Sequence, residues 1–295
     1  MSSIQPTGLT IVVPVYNERG AVADSIQRMK QIAEAFSRDI EVIFVDDGST
    51  DGSETILADP SQNPFRVIRS EKNRGYGASL KRGIMAAKHD VIAITDADNT
   101  YPDERIPELY ATMRDRSVDM LVGARMGANV NIPWIRRPPK WALNKLANYL
   151  CGMKIPDLNS GLRLMKREAV ERFMHVLPDS FSFTTTITLA LMTNGYAVEY
   201  VPIDYAHRSG SSKIRPIHDT LNFVQLILRT VMYFNPLRVF IPLSVLLAVC
   251  AFLVLLLSWA FGRQIMDVTF GTLLVTSVNV LILGLLADLL DKRLP

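Results

Sequence analysis

Cysteine is nearly absent from this chain: Cys151 and Cys250 are the only two in 295 residues. Cys250 sits inside an apolar run and Cys151 outside it, so neither has a disulfide partner or metal-ligand spacing, which excludes a disulfide framework and a thiolate metal site. A strong charge of one sign is missing as well. The formal net charge is only +3, and no nucleic acid is expected as a partner. No glycine fingerprint of the dinucleotide type follows the first strand-like run, which argues against an ordinary nicotinamide or flavin domain. No apolar stretch with a cleavage signature precedes that run, so no cleavable signal peptide is expected. Charge itself disappears in two places near the C-terminus, residues 239–261 and 268–290. Each run exceeds the roughly 20 residues that cross a bilayer as a helix. As buried core helices, two such runs in succession would need a very large surrounding core.

The charges flanking those runs set an orientation. The connection at 262–267 carries Arg263 and Asp267, whereas Lys213, Arg215, Arg229, Arg238, Lys292 and Arg293 stand on the other flanks. By the positive-inside bias both termini face the cytoplasm, giving a multi-pass protein of the cytoplasmic membrane with its soluble part on the cytoplasmic side.

What is present before residue 213 alternates strand and helix. Strand-like runs cover 9–14, 40–45, 65–68, 90–94 and 120–125, and helical spacing covers 20–36 and 77–88. Strands separated by helices predict an α/β fold with a mostly parallel, doubly wound sheet. In such sheets ligands bind at the carboxyl ends of the strands. Asp96-Ala97-Asp98 falls at one of those ends. Two carboxylates there can hold a divalent cation whose remaining positions go to a diphosphate, or they can solvate a loop and cap the next helix. Pro14-Val15-Tyr16-Asn17-Glu18 follows the first strand, where Tyr16 could pack a base. Asp46-Asp47-Gly48-Ser49 follows the second, with carboxylates fit for a ribose or a base and equally for turn and cap chemistry.

Taken in order, Val13-Pro14-Val15-Tyr16-Asn17-Glu18, Asp46-Asp47-Gly48-Ser49-Thr50-Asp51, Asn73-Arg74-Gly75-Tyr76-Gly77-Ala78, Asp96-Ala97-Asp98 and Gly123-Ala124-Arg125 resemble a family 2 inverting glycosyltransferase of the GT-A fold. Asn159-Ser160-Gly161-Leu162-Arg163 and His207-Arg208, with Gly210, Ser212 and Lys213, make it similar to the polyprenyl-phosphate group of that family, over about residues 9–213. The resemblance implies a nucleoside diphosphate sugar donor, a polyprenyl phosphate acceptor and Mg2+ or Mn2+. It places Asp96, Asp98 and Thr100 at the metal, and Pro14, Tyr16, Glu18, Asp46, Asp47 and Gly75 with the acidic pair at the donor. Arg125, Arg136, Arg137, Ser160, Arg208 and Lys213 fall at the acceptor phosphate, with Arg125, Arg208 and Lys213 acting in catalysis beside the two aspartates. Related enzymes often carry Gln two residues after the acidic pair, where this chain has Thr100. UDP-glucose is the first expectation for the donor, with GDP-mannose as the alternative.

A lipid monophosphate has a second pKa near 6 and is largely ionised at neutral pH, so the site requires no catalytic base. It requires cations. Arg136, Arg137, Lys140 and Lys145 alternate with Trp134, Trp141 and Tyr149 in a basic aromatic segment, 134–152, of a catalytic domain spanning 1–213. Residues 214–236 show the amphipathic spacing of an interfacial helix, and 237–295 form a hairpin of two transmembrane helices in contact with the lipid bilayer. Asn279, Asp288, Gly271 and Gly284 in the second span suit contacts between subunits of a homo-oligomer. Two other readings compete. A processive polysaccharide synthase would carry a Gln-x-x-Arg-Trp sequence, which is missing here, and more spans. A non-catalytic membrane adaptor would not need the intact acidic pair.

Overall fold

The structure is a computed structural model that describes residues 8–36, 39–126, 148–149, 152, 155–205, 225, 228, 232–233, 235–261 and 267–291. Contacts divide the chain into two units, Met1–Asn144 with Lys154–Pro216, and Lys145–Met153 with Ile217–Pro295.

The first unit is built on one seven-stranded sheet. In chain order its elements are β1 (Gly8–Val15), α1 (Val22–Ala35), β2 (Asp39–Asp46), α2 (Ser53–Ala58), β3 (Arg66–Arg69), α3 (Tyr76–Ala86), β4 (Val91–Ile94), α4 (Ile106–Asp115), β5 (Met120–Arg125), β6 (Arg163–Lys166), α5 (Arg167–Arg172), α6 (Phe183–Thr193) and β7 (Val198–Ile203). Sheet order is β3-β2-β1-β4-β6-β5-β7. β1 and β4 are buried along nearly their whole length because helices cover both faces of the sheet, and their sequences are apolar apart from Thr10 for the same reason. α1 turns Val22, Ile26, Met29 and Ile32 inward at helical spacing.

The expected strands and helices form within two residues of their anticipated ends, and β5 matches exactly. Sequence spacing did not show β7, which runs parallel to β5, or β6, which runs antiparallel to both β4 and β5 and wedges between them. The sheet is therefore mixed. That insertion matters for the site, since its register pairs Arg163 with Ile94 at the end of β4.

In the second unit, α7 (Leu237–Phe261) and α8 (Asp267–Asp291) are the two long apolar helices. Leu237–Ala260 and Val268–Leu290 are long and apolar enough to cross a membrane, and nearly nine-tenths of each stretch stays unburied, which a soluble core helix would not do. They pack through small residues. Ser244 Oγ donates to the Ser277 carbonyl at 2.9 Å and Ser277 Oγ donates to the Ser244 carbonyl at 2.8 Å. Gly284 lies so close to Phe240 that an added Cβ would be 2.5 Å from its Cβ. The close approach expected of Gly284 between subunits is thus used inside the hairpin, whereas Gly271 has open space around it. Arg238, at the start of α7, donates to the Tyr149 carbonyl at 3.3 Å and lies over Gly152, which ties these pieces of the basic aromatic segment to the first span. Interhelical hydrogen bonds in membranes contribute about 0.6 kcal/mol each on average. Replacing both serines by alanine, which keeps the close approach, should therefore destabilise the hairpin by about 1 kcal/mol in detergent unfolding titrations; no change would mean that packing alone holds it.

Candidate functional site

Three loops meet at the carboxyl edge of β1, β2 and β4, and backbone hydrogen bonds stitch them together. Asp47 N–H donates to the Val15 carbonyl at 2.9 Å. Asn17 N–H donates to Ser49 Oγ at 3.1 Å, Thr50 N–H to Asn17 Oδ1 at 2.9 Å, and Glu18 N–H to Ser53 Oγ at 3.0 Å. Asn17 and Asn99 hold left-handed backbone, with φ of 55° and 59°, a conformation asparagine tolerates better than most residues. Asn99 Nδ2 then reaches the Ala21 carbonyl at 3.3 Å and joins the acidic loop to the others.

The expected donor residues divide into two groups. Pro14 is the last residue but one of β1, and Tyr16 presents a half-exposed ring just beyond the strand. Asp46 and Asp47 are buried and act on the backbone: Asp46 Oδ1 accepts from Ser49 N–H at 2.9 Å, and Asp47 accepts from Arg74 N–H at 2.9 Å and Gly75 N–H at 2.8 Å. Asp46 Oδ2 is buried without a hydrogen-bond partner, 3.3 Å from Arg69 Nε, beside a cavity of about 510 Å3 that both residues line. Gly75 has φ of 106°, and a Cβ there would strike the Asp179 carbonyl at 2.3 Å. Its missing side chain is needed for the 178–180 turn.

Asp96 and Asp98 stand where β4 ends. Tyr76, the first residue of α3, donates its hydroxyl to Asp96 Oδ1 at 2.8 Å. Burial, and then the neighbouring Asp96 carboxylate, push that phenol well above its ordinary pKa, so it stays a donor. On the other side a Cβ added to Gly161 would lie 2.8 Å from Asp96 Oδ2. Gly161 N–H donates to Tyr101 Oη at 2.6 Å. Asp98 Oδ1 accepts from both the Thr100 N–H at 3.2 Å and the Thr100 hydroxyl at 2.6 Å. Thr100 is buried and spends its proton on Asp98, so what the structure shows for it is orientation of that carboxylate.

The donor set suits a hard divalent cation. Both carboxylates and the Thr100 hydroxyl offer oxygen, and Asn99 Oδ1 is buried in the same loop without a partner. Among the described residues no group of three or more His, Cys, Asp or Glu side chains could hold a metal by itself. That pattern fits an ion such as Mg2+, which is usually bound by one or two carboxylates and completed by substrate phosphates and water.

Arg125 is found in a different situation from the one expected. Its Nε and Nη2 form a two-point pair with Asp157 at 2.7 and 2.8 Å, and its backbone N–H also reaches Asp157 at 3.1 Å. Burial works against the charge, but the Asp157 bond outweighs it and holds the guanidinium above its ordinary pKa. The guanidinium carbon lies 5.3 Å from the Tyr205 ring centroid, and Tyr205 meets Tyr101 edge to face. A phosphate would reach this fork only by displacing Asp157. Ser160 is buried and donates to the Gly123 carbonyl, so it braces the loop. Arg136, Arg137, Arg208 and Lys213 lie outside the described residues, as do Lys140, Lys145, Trp134 and Trp141 and nearly all of the interfacial helix.

Sequence reasoning missed Tyr76 and Asp157 as site residues, although both stand in or beside motifs it quoted. It also missed Asp103, which had no signal of its own. Asp103 is fully buried, accepts from Thr95 Oγ1 at 2.5 Å and leaves Oδ2 without a partner. Burial pushes its pKa up to about 7, with Glu104 and Asp96 adding to it against Thr95 and Arg28. The folded state therefore keeps a proton that the unfolded chain releases near pH 4. Stability falls from about pH 4 to pH 7, by up to about 1.4 kcal/mol per unit, and levels off above that. Asp103→Asn should abolish this slope, so the variant gains on the wild type across that window; parallel stability curves from pH 4 to 8 would overturn the assignment.

Comparisons with known proteins give the family and the fold. The family model described as Glycosyl transferase family 2 matches residues 10–174. An undecaprenyl-phosphate 4-deoxy-4-formamido-L-arabinose transferase of Enterobacter is 29% identical over 266 residues, covering 87% of this chain and 78% of that protein. A dodecaprenyl-phosphate galacturonate synthase of Rhizobium johnstonii is 26% identical over 309 residues, covering 98% and 89%. Among solved structures, glucosyl-3-phosphoglycerate synthase of Mycobacterium tuberculosis, crystallised with Mn2+, UDP and glucosyl-3-phosphoglycerate, superposes with a TM-score of 0.56 at 19% identity over 76% of this chain and 80% of that one. This last likeness is one of fold.

Proposed function

The chain belongs to glycosyl transferase family 2, and on that footing we propose that it transfers a sugar from a nucleoside diphosphate donor to polyprenyl phosphate at the cytoplasmic face of a membrane, with inversion at the anomeric carbon. The observation that carries this reading is an acidic pair oriented by Tyr76 and Gly161 at the end of β4, in a chain that also has two bilayer-length helices. Both curated relatives are named for polyprenyl phosphate chemistry.

A divalent ion held by Asp96 and Asp98 would supply Lewis-acid stabilisation of the departing diphosphate. The chain's own residues do the rest. Tyr76 holds Asp96 by one oxygen, and Thr100 holds Asp98 in the same way, so the two carboxylates are pre-aimed and no reorganisation is needed at the moment of reaction. Asp46 Oδ2, buried and unsatisfied beside Arg69, offers an acceptor for an N–H of the donor's base. The acceptor phosphate arrives ionised and attacks without deprotonation. Its cationic ligands are Arg136, Arg137, Arg208 and Lys213, while Arg125, paired with Asp157, braces the loop that carries Asp157.

UDP-glucose heads the donors to be tried, followed by GDP-mannose. Incubating the purified full-length protein with a panel of UDP- and GDP-sugars and a short polyprenyl phosphate, then reading lipid products by mass spectrometry and their anomeric configuration by NMR, should yield one glycosyl phosphate lipid of inverted configuration. Failure to glycosylate the lipid with every donor, in the presence of Mg2+ and Mn2+, would sink the proposal.

A further inference from the structure

Among the described residues Arg163 is the largest fully buried side chain and has no carboxylate within ion-pair distance. A guanidinium cannot shed its proton in a protein, so a full charge stays in the core. Neutral oxygens surround it. Nε and Nη2 both donate to the Ser160 carbonyl, and Nη1 donates to the Thr184 carbonyl and Thr188 Oγ1, each at 2.9 Å. Thr188 in turn donates to the Thr184 carbonyl at 2.8 Å, and Thr185 donates to Asn159 Oδ1 at 2.5 Å. The first turns of α6 thereby grip the 159–160 turn from below. Stability alone does not explain such an arrangement, because burying a charge without a counter-charge costs free energy even where neutral oxygens solvate it.

The register supplies a reason. β6 pairs Arg163 with Ile94, and the same register carried two residues further brings Gly161 opposite Asp96, where the two are already in contact. We propose that Arg163 is a positioning residue: its two-point hold on the Ser160 carbonyl presses Gly161 against the Asp96 carboxylate and fixes the metal-facing geometry of that carboxylate. The inference rests on the reading of Asp96 and Asp98 as the metal site.

Coulomb's law and positioning predict opposite outcomes when the charge is removed. Losing a buried cation near the acidic pair would by itself tighten binding of a divalent metal. Losing the clamp would weaken it. Mn2+ affinity of the full-length protein, measured by electron paramagnetic resonance with Mn2+ and UDP or GDP, whose diphosphate completes the metal's ligands, therefore separates them. Arg163→Met removes the buried charge but strips the Ser160 carbonyl of both these donors, so it should lower the thermal midpoint modestly and weaken Mn2+ binding by about tenfold, and Arg163→Lys, which keeps the charge but has no fork, should weaken it as well. Thr188→Val removes a single acceptor and should shift affinity about threefold in the same direction; it decides the matter if the arginine variants do not fold. Unchanged or tighter Mn2+ binding in folded variants overturns the clamp and leaves the metal site standing. A wild-type protein that binds no Mn2+ beyond what UDP or GDP holds in free solution takes down the metal reading and the inference together.

Discussion

Asp98→Asn should lower sugar transfer by about 10^3-fold while leaving the fold intact. The substitution is nearly isosteric, and the new side-chain carbonyl can still accept from the Thr100 hydroxyl and N–H, so the loop after β4 keeps its shape. What disappears is one of two negative charges on which a divalent ion depends. A single lost electrostatic contact to a developing charge typically costs 10^2–10^3 in rate, and here the ion and its whole effect on the leaving group are weakened together. Steady-state rates with saturating Mg2+ and Mn2+ give the measurement. Turnover within tenfold of the wild type would remove Asp98 from the metal site and leave it as a loop cap, the alternative reading of an acidic pair at a strand end. Thr100→Val provides the graded counterpart: it deletes the hydroxyl that aims Asp98 and keeps both carboxylates, so its loss should be smaller and should shrink as metal concentration rises.

The sequence made the parallel strands legible because a strand buried on both faces is largely apolar, as Ile11 to Val13 and Val91 to Ile94 are. It made the acidic pair legible because hard-oxygen chemistry needs carboxylates at a strand end. The antiparallel β6 was hidden. Arg163-Leu164-Met165-Lys166 begins and ends with a charge in only four residues, and nothing in that spacing says that the first charge is fully buried. The partners of Arg125 were hidden for a related reason: a lone arginine after a strand looks like a phosphate ligand until Asp157, 32 positions later in the chain, is brought to its fork. Asp46 and Asp47 looked like ligand groups, and their bonds to Ser49, Arg74 and Gly75 show how readily the same residues serve turns. Sequence reports which chemistry a loop contains; long-range pairing decides which oxygen atoms remain for a ligand.

Gly161→Ala tests that last point at the other carboxylate. The methyl group would sit 2.8 Å from Asp96 Oδ2 and 3.1 Å from its Cγ, inside ordinary contact, so something has to move by several tenths of an ångström. The backbone of Gly161 is tied to Tyr101 Oη, and its neighbour Ser160 is tied to Gly123 and Arg163. The carboxylate is the softer partner. It can rotate away about its own torsion at little cost in stability, but in doing so it leaves the line set by the Tyr76 hydroxyl. A misplacement of about 1 Å costs on the order of 10^2 in rate, so a loss of about 10- to 100-fold is expected with a thermal midpoint close to that of the wild type. Adding Tyr76→Phe to Gly161→Ala should then cost little more, because both changes release the same carboxylate, and the two effects should be far from additive. Full activity in the alanine variant would show that Asp96 does not need this wall. A large drop in thermal midpoint would show that the loop and β6 had yielded in place of the side chain.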